Sequence, residues 1–147
     1  MRQRQRKGQR GNALVEFAVS FGFIFPLLYG TFQFGLSFLN YNELVNAVRA
    51  GARYASYRTY DSATSTPSAA FRDAVRNVVV YGNPGGGTTP TVAGIRPSNV
   101  DVRATFENNV PVAVTVAISG FDMNVAMADV RLNKPEVTFP YTGRFAP

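Results

Sequence analysis

Hydrophobic and polar positions divide the chain into three differently patterned parts. From Phe17 to Asn42 no charged residue occurs, and the 23 residues from Phe17 to Leu39, FAVSFGFIFPLLYGTFQFGLSFL, are almost wholly apolar. As a helix this run would reach roughly 35 Å, against about 30 Å for the hydrocarbon core of a bilayer. From Tyr41 to Tyr57 the pattern becomes amphipathic. Leu44, Val45, Val48, Ala52 and Ala55 recur at helical spacing, while Glu43, Arg49 and Arg53 take other faces. No breaker separates the two parts, so one long helix is predicted over about residues 12–58, with a spanning part at 17–39 and an amphipathic part at 40–58.

The third part mixes patterns. Asp61 to Pro67 is a polar link. A second helix is predicted after it, with Thr66 as N-cap and Pro67 in the first turn. Phe71, Val75, Val78 and Val79 share one face, and Gly82 is the stop. Asn83 to Thr91 is a Gly/Pro-rich loop. Val100, Val102, Ala104 and Phe106 then alternate with polar residues, Val112, Val114, Val116 and Ile118 alternate with smaller or polar ones, and Asn108-Asn109 between them suits a tight hairpin. Ala126–Leu132 and Val137–Tyr141 carry weaker strand signals. The predicted class is α+β: a long N-terminal transmembrane and amphipathic helix carrying a small domain, 59–147, of a helix packed on an antiparallel sheet.

Charge orients this plan. Of 15 basic residues, Arg2, Arg4, Arg6, Lys7 and Arg10 all precede residue 11, and the remaining ten nearly balance nine acids. The net charge of +6 therefore belongs to a short tail, which argues against a nucleic-acid-binding face. A basic flank before an apolar span, with Glu43 the first charge beyond it, predicts a cytoplasmic N-terminus and an outer domain on the far side of the membrane. Two other readings of the run fit it less well. A buried core helix usually runs ~10–14 residues and lacks a basic flank. A cleaved secretory signal has a shorter core, and its nearest small-residue site, Ala50-Gly51-Ala52, lies beyond Glu43 and Arg49.

The chain has no Cys and no His. Disulfide frameworks, Cys/His zinc sites and mechanisms needing a Cys nucleophile or a His base are thereby excluded. Its acids form no dyad at recognisable spacing, and Gly85-Gly86-Gly87 lacks the following Lys-Ser/Thr of a phosphate loop. No catalytic, cofactor or metal residue is assigned, and no enzyme activity is expected.

Glu16, between Val15 and Phe17, stands at the head of the span. A carboxylate at bilayer depth costs about 2.5–3.5 kcal/mol on insertion scales, less near the interface, and marks a functional candidate. The bland alternative is an interfacial acid at a helix N-terminus. Its surroundings add weight. A basic leader ends in Gly11, and the run Asn12-Ala13-Leu14-Val15-Glu16-Phe17 opens the apolar helix, with Glu16 fifth after the glycine. This resembles the cleavage site of type IV prepilins. The longer stretch GNALVEFAVSFGFIFPLLYGTFQFGLSF, followed by NAVRAGARYAS, resembles the TadE-like family, pseudopilins or minor pilins of the tight-adherence (Flp) pilus machinery, over about residues 8–58.

The resemblance implies cleavage between Gly11 and Asn12 by a prepilin peptidase, removing a leader of residues 1–11. It implies that Glu16, with Phe17 beside it, acts in subunit assembly by neutralising the new amine of Asn12 on a neighbouring subunit. Phe17 stands where related pilins often carry Tyr. The implied partners are the membrane, crossed once, the peptidase, and other pilin-like subunits with their assembly platform in the inner membrane. Ala18, Gly22, Pro26 and Gly30 recur every four residues. Pro26 removes one intrahelical bond and predicts a kink, while Ala18-x-x-x-Gly22 lets another helix approach closely. Ordinary transmembrane tolerance of Gly and Pro explains these residues nearly as well. Two functions remain for the outer domain: part of a processed pilus-assembly subunit, or the ligand-binding head of an unprocessed single-pass anchor.

Overall fold

A computed structural model describes residues 7–121 and 134–147. The first element, α1, is a single helix over Lys7–Tyr57, 51 residues with Pro26 inside it. It begins ahead of the predicted start at residue 12 and runs through the Gly11–Asn12 junction. Nothing between Lys7 and Asn12 forbids helix: Gly11 weakens it but does not break it.

Only the second half of α1 is packed. Leu44, Ala47, Val48, Gly51, Ala52 and Ala55 are buried, the 3–4 spacing of one helical face. The helix ends at Tyr57, and α2 spans Ala69–Tyr81. Its N-cap is Ser68, not Thr66. Ser68 Oγ accepts the Phe71 N–H at 3.1 Å and donates to Asp61 Oδ2 at 2.7 Å. Ser68 is held by a carboxylate seven residues upstream, while the Thr66 carbonyl is engaged by the hydroxyls of Ser62 and Thr64 inside the link. Gly82 closes the helix, donating its N–H to the Val78 carbonyl at 2.9 Å.

The two helices run antiparallel. Phe71 lies beside Tyr60 just past the end of α1, and Val79 lies against Gly51. A Cβ at residue 51 would collide with Val79 Cγ2, so the glycine sets how closely the two backbones approach.

Three strands form the sheet: β1 (Val100–Glu107), β2 (Val110–Ile118) and β3 (Glu136–Pro140), in spatial order β1-β2-β3, antiparallel throughout. Asn108 and Asn109 have φ of 50° and 62°, the left-handed pair that a two-residue hairpin with a type I′ turn requires. The register slips at Thr105/Phe106: Thr105 opposes Ala113 and Phe106 opposes Pro111, so Val112 is the extra residue of a bulge. Val112 is accordingly only half-buried, although its alternation with Val114, Val116 and Ile118 predicts an inward position. β3 answers the expected strand at Val137–Tyr141 one residue early. The expected strand at Ala126–Leu132 lies outside the described residues.

Val100, Val102, Ala104, Val114, Val116 and Ile118 face inward and join the helices in one core. The other face carries Asp101, Arg103, Thr115 and Thr138, with Arg103 Nε 2.6 Å from Asp101 Oδ2 and the two threonine hydroxyls 2.8 Å apart.

The C-terminal segment locks this core to the end of α1. Tyr60 N–H donates to Arg144 C=O at 2.8 Å and to Tyr141 Oη at 2.9 Å. The Tyr141 hydroxyl lies 2.8 Å from Arg58 C=O and 2.7 Å from Arg144 C=O, donating its one proton to this pair. Thr142 N–H reaches Ser56 C=O, and Ala146 N–H reaches Tyr60 C=O. At Gly143 a Cβ would lie 2.6 Å from the Arg58 carbonyl oxygen, so only glycine lets the segment pass.

Burial, with the nearby Asp61 and Tyr141 charges adding to it, pushes the Tyr60 phenol up to about 12 from an ordinary value of 10.0. Burial raises Tyr141 as well; the hydrogen bond from the Tyr60 backbone opposes that shift and Asp61 adds to it. The phenols are neutral when protonated, and folding favours that form. Their contribution is therefore complete below about pH 10 and is lost as pH rises towards about 12. Melting of the full chain in detergent should show a Tm that is level from about pH 8 to 10 and falls above it. A Tm flat to about pH 12 would remove these two tyrosines from the stability of the domain.

Candidate assembly surface

The first half of α1 has nothing packed on it. Every residue from Gly11 to Tyr29 is exposed, including Leu14, Val15, Ile24, Leu27 and Leu28. Among the described residues this is the one helix long and apolar enough to cross a membrane. In water such a surface would be a large uncovered apolar patch, so lipid or other helices must cover it.

Its polar side chains are arranged for that setting. Thr31 Oγ1 donates to Leu27 C=O at 2.9 Å, Ser37 Oγ to Gln33 C=O at 3.0 Å, and Gln33 Nε2 to Tyr29 Oη at 2.6 Å. Each donor finds a partner one turn away on its own helix, which lowers the cost of placing it in hydrocarbon.

Phe17 opens a series of aromatic rings along α1. Phe17, Phe21, Phe25 and Tyr29 stack in series, with ring centroids 5.9, 5.3 and 6.1 Å apart. The i, i+4 spacing of four aromatics was the available signal. Ala18, Gly22, Pro26 and Gly30 each follow one of these rings, so the small stripe lies about 100° around the helix from the aromatic one. Gly22 and Gly30 have open space where a Cβ would stand. Successive steps of four residues drift by about 40°, so both stripes wind around the helix and neither stays on one line. Pro26 has no N–H for the Gly22 carbonyl, yet the helix continues through it.

Gly11 and Asn12 are exposed, and nothing lies within 4 Å of the Gly11 Cβ position. Glu16 sits just over one turn beyond them, exposed on the bare helix. Among the described residues it has neither a hydrogen-bond partner nor a salt-bridge partner, and the chain's ion pairs join Arg76 to Asp73 and Arg103 to Asp101. The fold thus strings the predicted site residues along one helix and leaves them all outward. It does not gather them into a pocket, and among the described residues no group of His, Cys, Asp or Glu is placed to hold a metal.

No curated protein and no solved structure matches this chain. The family model described as TadE-like protein matches residues 11–53, from the glycine ahead of Glu16 to the turn beyond Gly51, a likeness that lies wholly within α1.

Proposed function

We propose that the chain is a pseudopilin of the Tad (Flp) system: a prepilin-peptidase substrate that inserts in the inner membrane and takes part in pilus assembly. The role is structural, not catalytic. The observation that carries the reading is Glu16, a carboxylate without a partner among the described residues, on the half of α1 against which nothing is packed. Cleavage between Gly11 and Asn12 would place an ammonium five residues before that acid's neighbour Phe17. Buried among other helices, a carboxylate and an ammonium are each costly alone, and pairing across subunits offsets both costs. The exposed helix surface offers the contacts by which other pilin-like subunits and the platform would be engaged.

The deciding experiment is the intact mass of the chain expressed with its peptidase. The expected product begins at Asn12, and Gly11→Leu should retain the leader. Normal shortening of Gly11→Leu would overturn the cleavage site. A full-length product from the unaltered chain would favour the single-pass anchor whose outer domain binds an envelope ligand.

The reading also requires a cytoplasmic N-terminus and an outer domain beyond the membrane, since the basic residues before residue 11 resist translocation. A reporter fused after Pro147 that is active only outside the cytoplasm is the expected outcome. Activity inside would reverse the orientation.

A further inference from the structure

Beyond the membrane, α1 has two sides. One is buried in the outer domain, and the other is an uncovered stripe that includes Asn46, Ala50 and Tyr57. This stripe carries three exposed charges, Glu43, Arg49 and Arg53. Their placement is unusual for an isolated helix. Arg49 and Arg53 are like charges at i, i+4, a spacing that repels, and neither has an acid three or four residues away. Glu43 likewise has no base at either spacing. Among the described residues none of the three forms an ion pair. By contrast, Arg58 nearby is engaged: its guanidinium lies over the rings of Tyr54 and Phe71 and donates to Tyr54 Oη.

Helix geometry fixes where complementary charges would have to come from. Glu43 and Arg49 are six residues apart, hence about 9 Å along the axis and about 120° around it. Arg53 is about 15 Å along and about 80° around. The acid therefore lies on one flank of the stripe and the arginines lie on the other, at a different height. We propose that this stripe is a head-to-tail contact between copies of this chain, in which Glu43 of one copy pairs with Arg49 and Arg53 of a parallel neighbour displaced along the axis by roughly 9–15 Å.

The charge pattern of one chain supplies both halves of this contact. Opposite flanks and an axial offset make it heterologous, so each copy keeps one unused flank and the contact can propagate as a filament. Copies resting at equal depth in one bilayer bring Glu43 level with Glu43 and leave the arginines unpaired. The contact forms only when one copy is raised relative to the next. The inference rests on the pilus-assembly reading and adds to it the partner, the flanks and the stagger.

The test uses the full chain in cells that hold the pilus machinery. The chain has no cysteine of its own, so introduced thiols report single positions. With a short bismaleimide, Glu43→Cys combined with Arg49→Cys should give a ladder extending past the dimer. Either cysteine alone should give none. In the second arm, Glu43→Arg should lower the yield of chain co-purified with the machinery by about 1.4- to 5-fold, the range of one exposed ion pair. Adding Arg49→Glu and Arg53→Glu to the same chain should restore it. All three positions are exposed, so these changes leave the core intact.

A missing ladder overturns the inference, as does an equal dimer from Glu43→Cys alone, a crosslink from Arg49→Cys to a different protein only, or a triple reversal that restores nothing. If in those cases the chain still begins at Asn12 and co-purifies with the machinery, the pilus-assembly reading stands and this contact alone is wrong. If trimming and co-purification are absent too, both fall.

Discussion

Replacing Glu16 by Leu should leave the chain inserted and processed but largely absent from the pilus assembly. Insertion should survive because removing a carboxylate lowers the cost of placing the helix in lipid. Processing should survive because the leader and Gly11 are unchanged. The outer domain should be unaffected, since Glu16 lies on the part of α1 that touches none of it. Assembly should suffer because the Asn12 ammonium would then be buried against a neighbour without its counter-charge, and breaking a buried pair in this way costs about 3–5 kcal/mol. That is a loss of two to four orders of magnitude in the relevant equilibrium. Glu16→Gln separates charge from shape, since it keeps an acceptor but cannot neutralise the amine. Pilus counts and co-purification with the machinery, in cells carrying each variant, are the measurements. Assembly of Glu16→Leu at the level of the unaltered chain would leave Glu16 an interfacial acid with no part in assembly.

The second large effect concerns the outer domain. Tyr60→Ala should cost about 3–5 kcal/mol, a substantial part of the roughly 5–15 kcal/mol that stabilises a domain. Tyr60 is fully buried and is the hub of an aromatic cluster. Its ring centroid lies 5.3 Å from Phe71, 5.5 Å from Phe106, 6.1 Å from Tyr141 and 6.3 Å from Phe145. These four partners come from α2, β1 and the C-terminal segment, so one ring joins parts of the chain that have no local reason to meet. Alanine would leave a cavity among them. Tyr60→Phe keeps the ring and loses only the hydroxyl bond to Thr64 C=O at 2.7 Å, for about 0.5–1.5 kcal/mol. Denaturant unfolding of the full chain in detergent, followed by near-UV signals of the tyrosines, should rank the unaltered chain above Tyr60→Phe and Tyr60→Ala last. If Tyr60→Ala unfolds within about 1 kcal/mol of the unaltered chain, the clamp at the end of α1 does not hold the domain.

What could be read without coordinates was whatever rests on neighbours in sequence. Length and apolarity mark a helix able to span a bilayer because each residue of such a helix satisfies its own backbone within one turn and needs no distant partner. The Asn108-Asn109 hairpin was legible for the same reason: two residues tolerant of positive φ sit between alternating strands. So was the buried face of α2, written in the spacing of Phe71, Val75, Val78 and Val79. The aromatic series on α1 was also local, and its four-residue spacing was there to be read.

Tertiary structure decided what depends on residues far apart. The start of α2 fell at Ser68 because Asp61, seven residues earlier, is carried to it by the turn after Tyr60. Val112 left the inward row because β2 takes an extra residue opposite Phe106. Gly51 looked like one more small residue of a helix and proved to set the approach of α2, since its role belongs to Val79. The pairing of Tyr141 with Tyr60 spans 81 positions. No periodicity encodes such a contact, because the free energy that selects it comes from packing a whole core at once. The sequence alone therefore specified which helix is long and apolar enough to cross a membrane and which residues on it bear charge. Only the fold decided which flank of that helix the rest of the domain covers and which it leaves exposed.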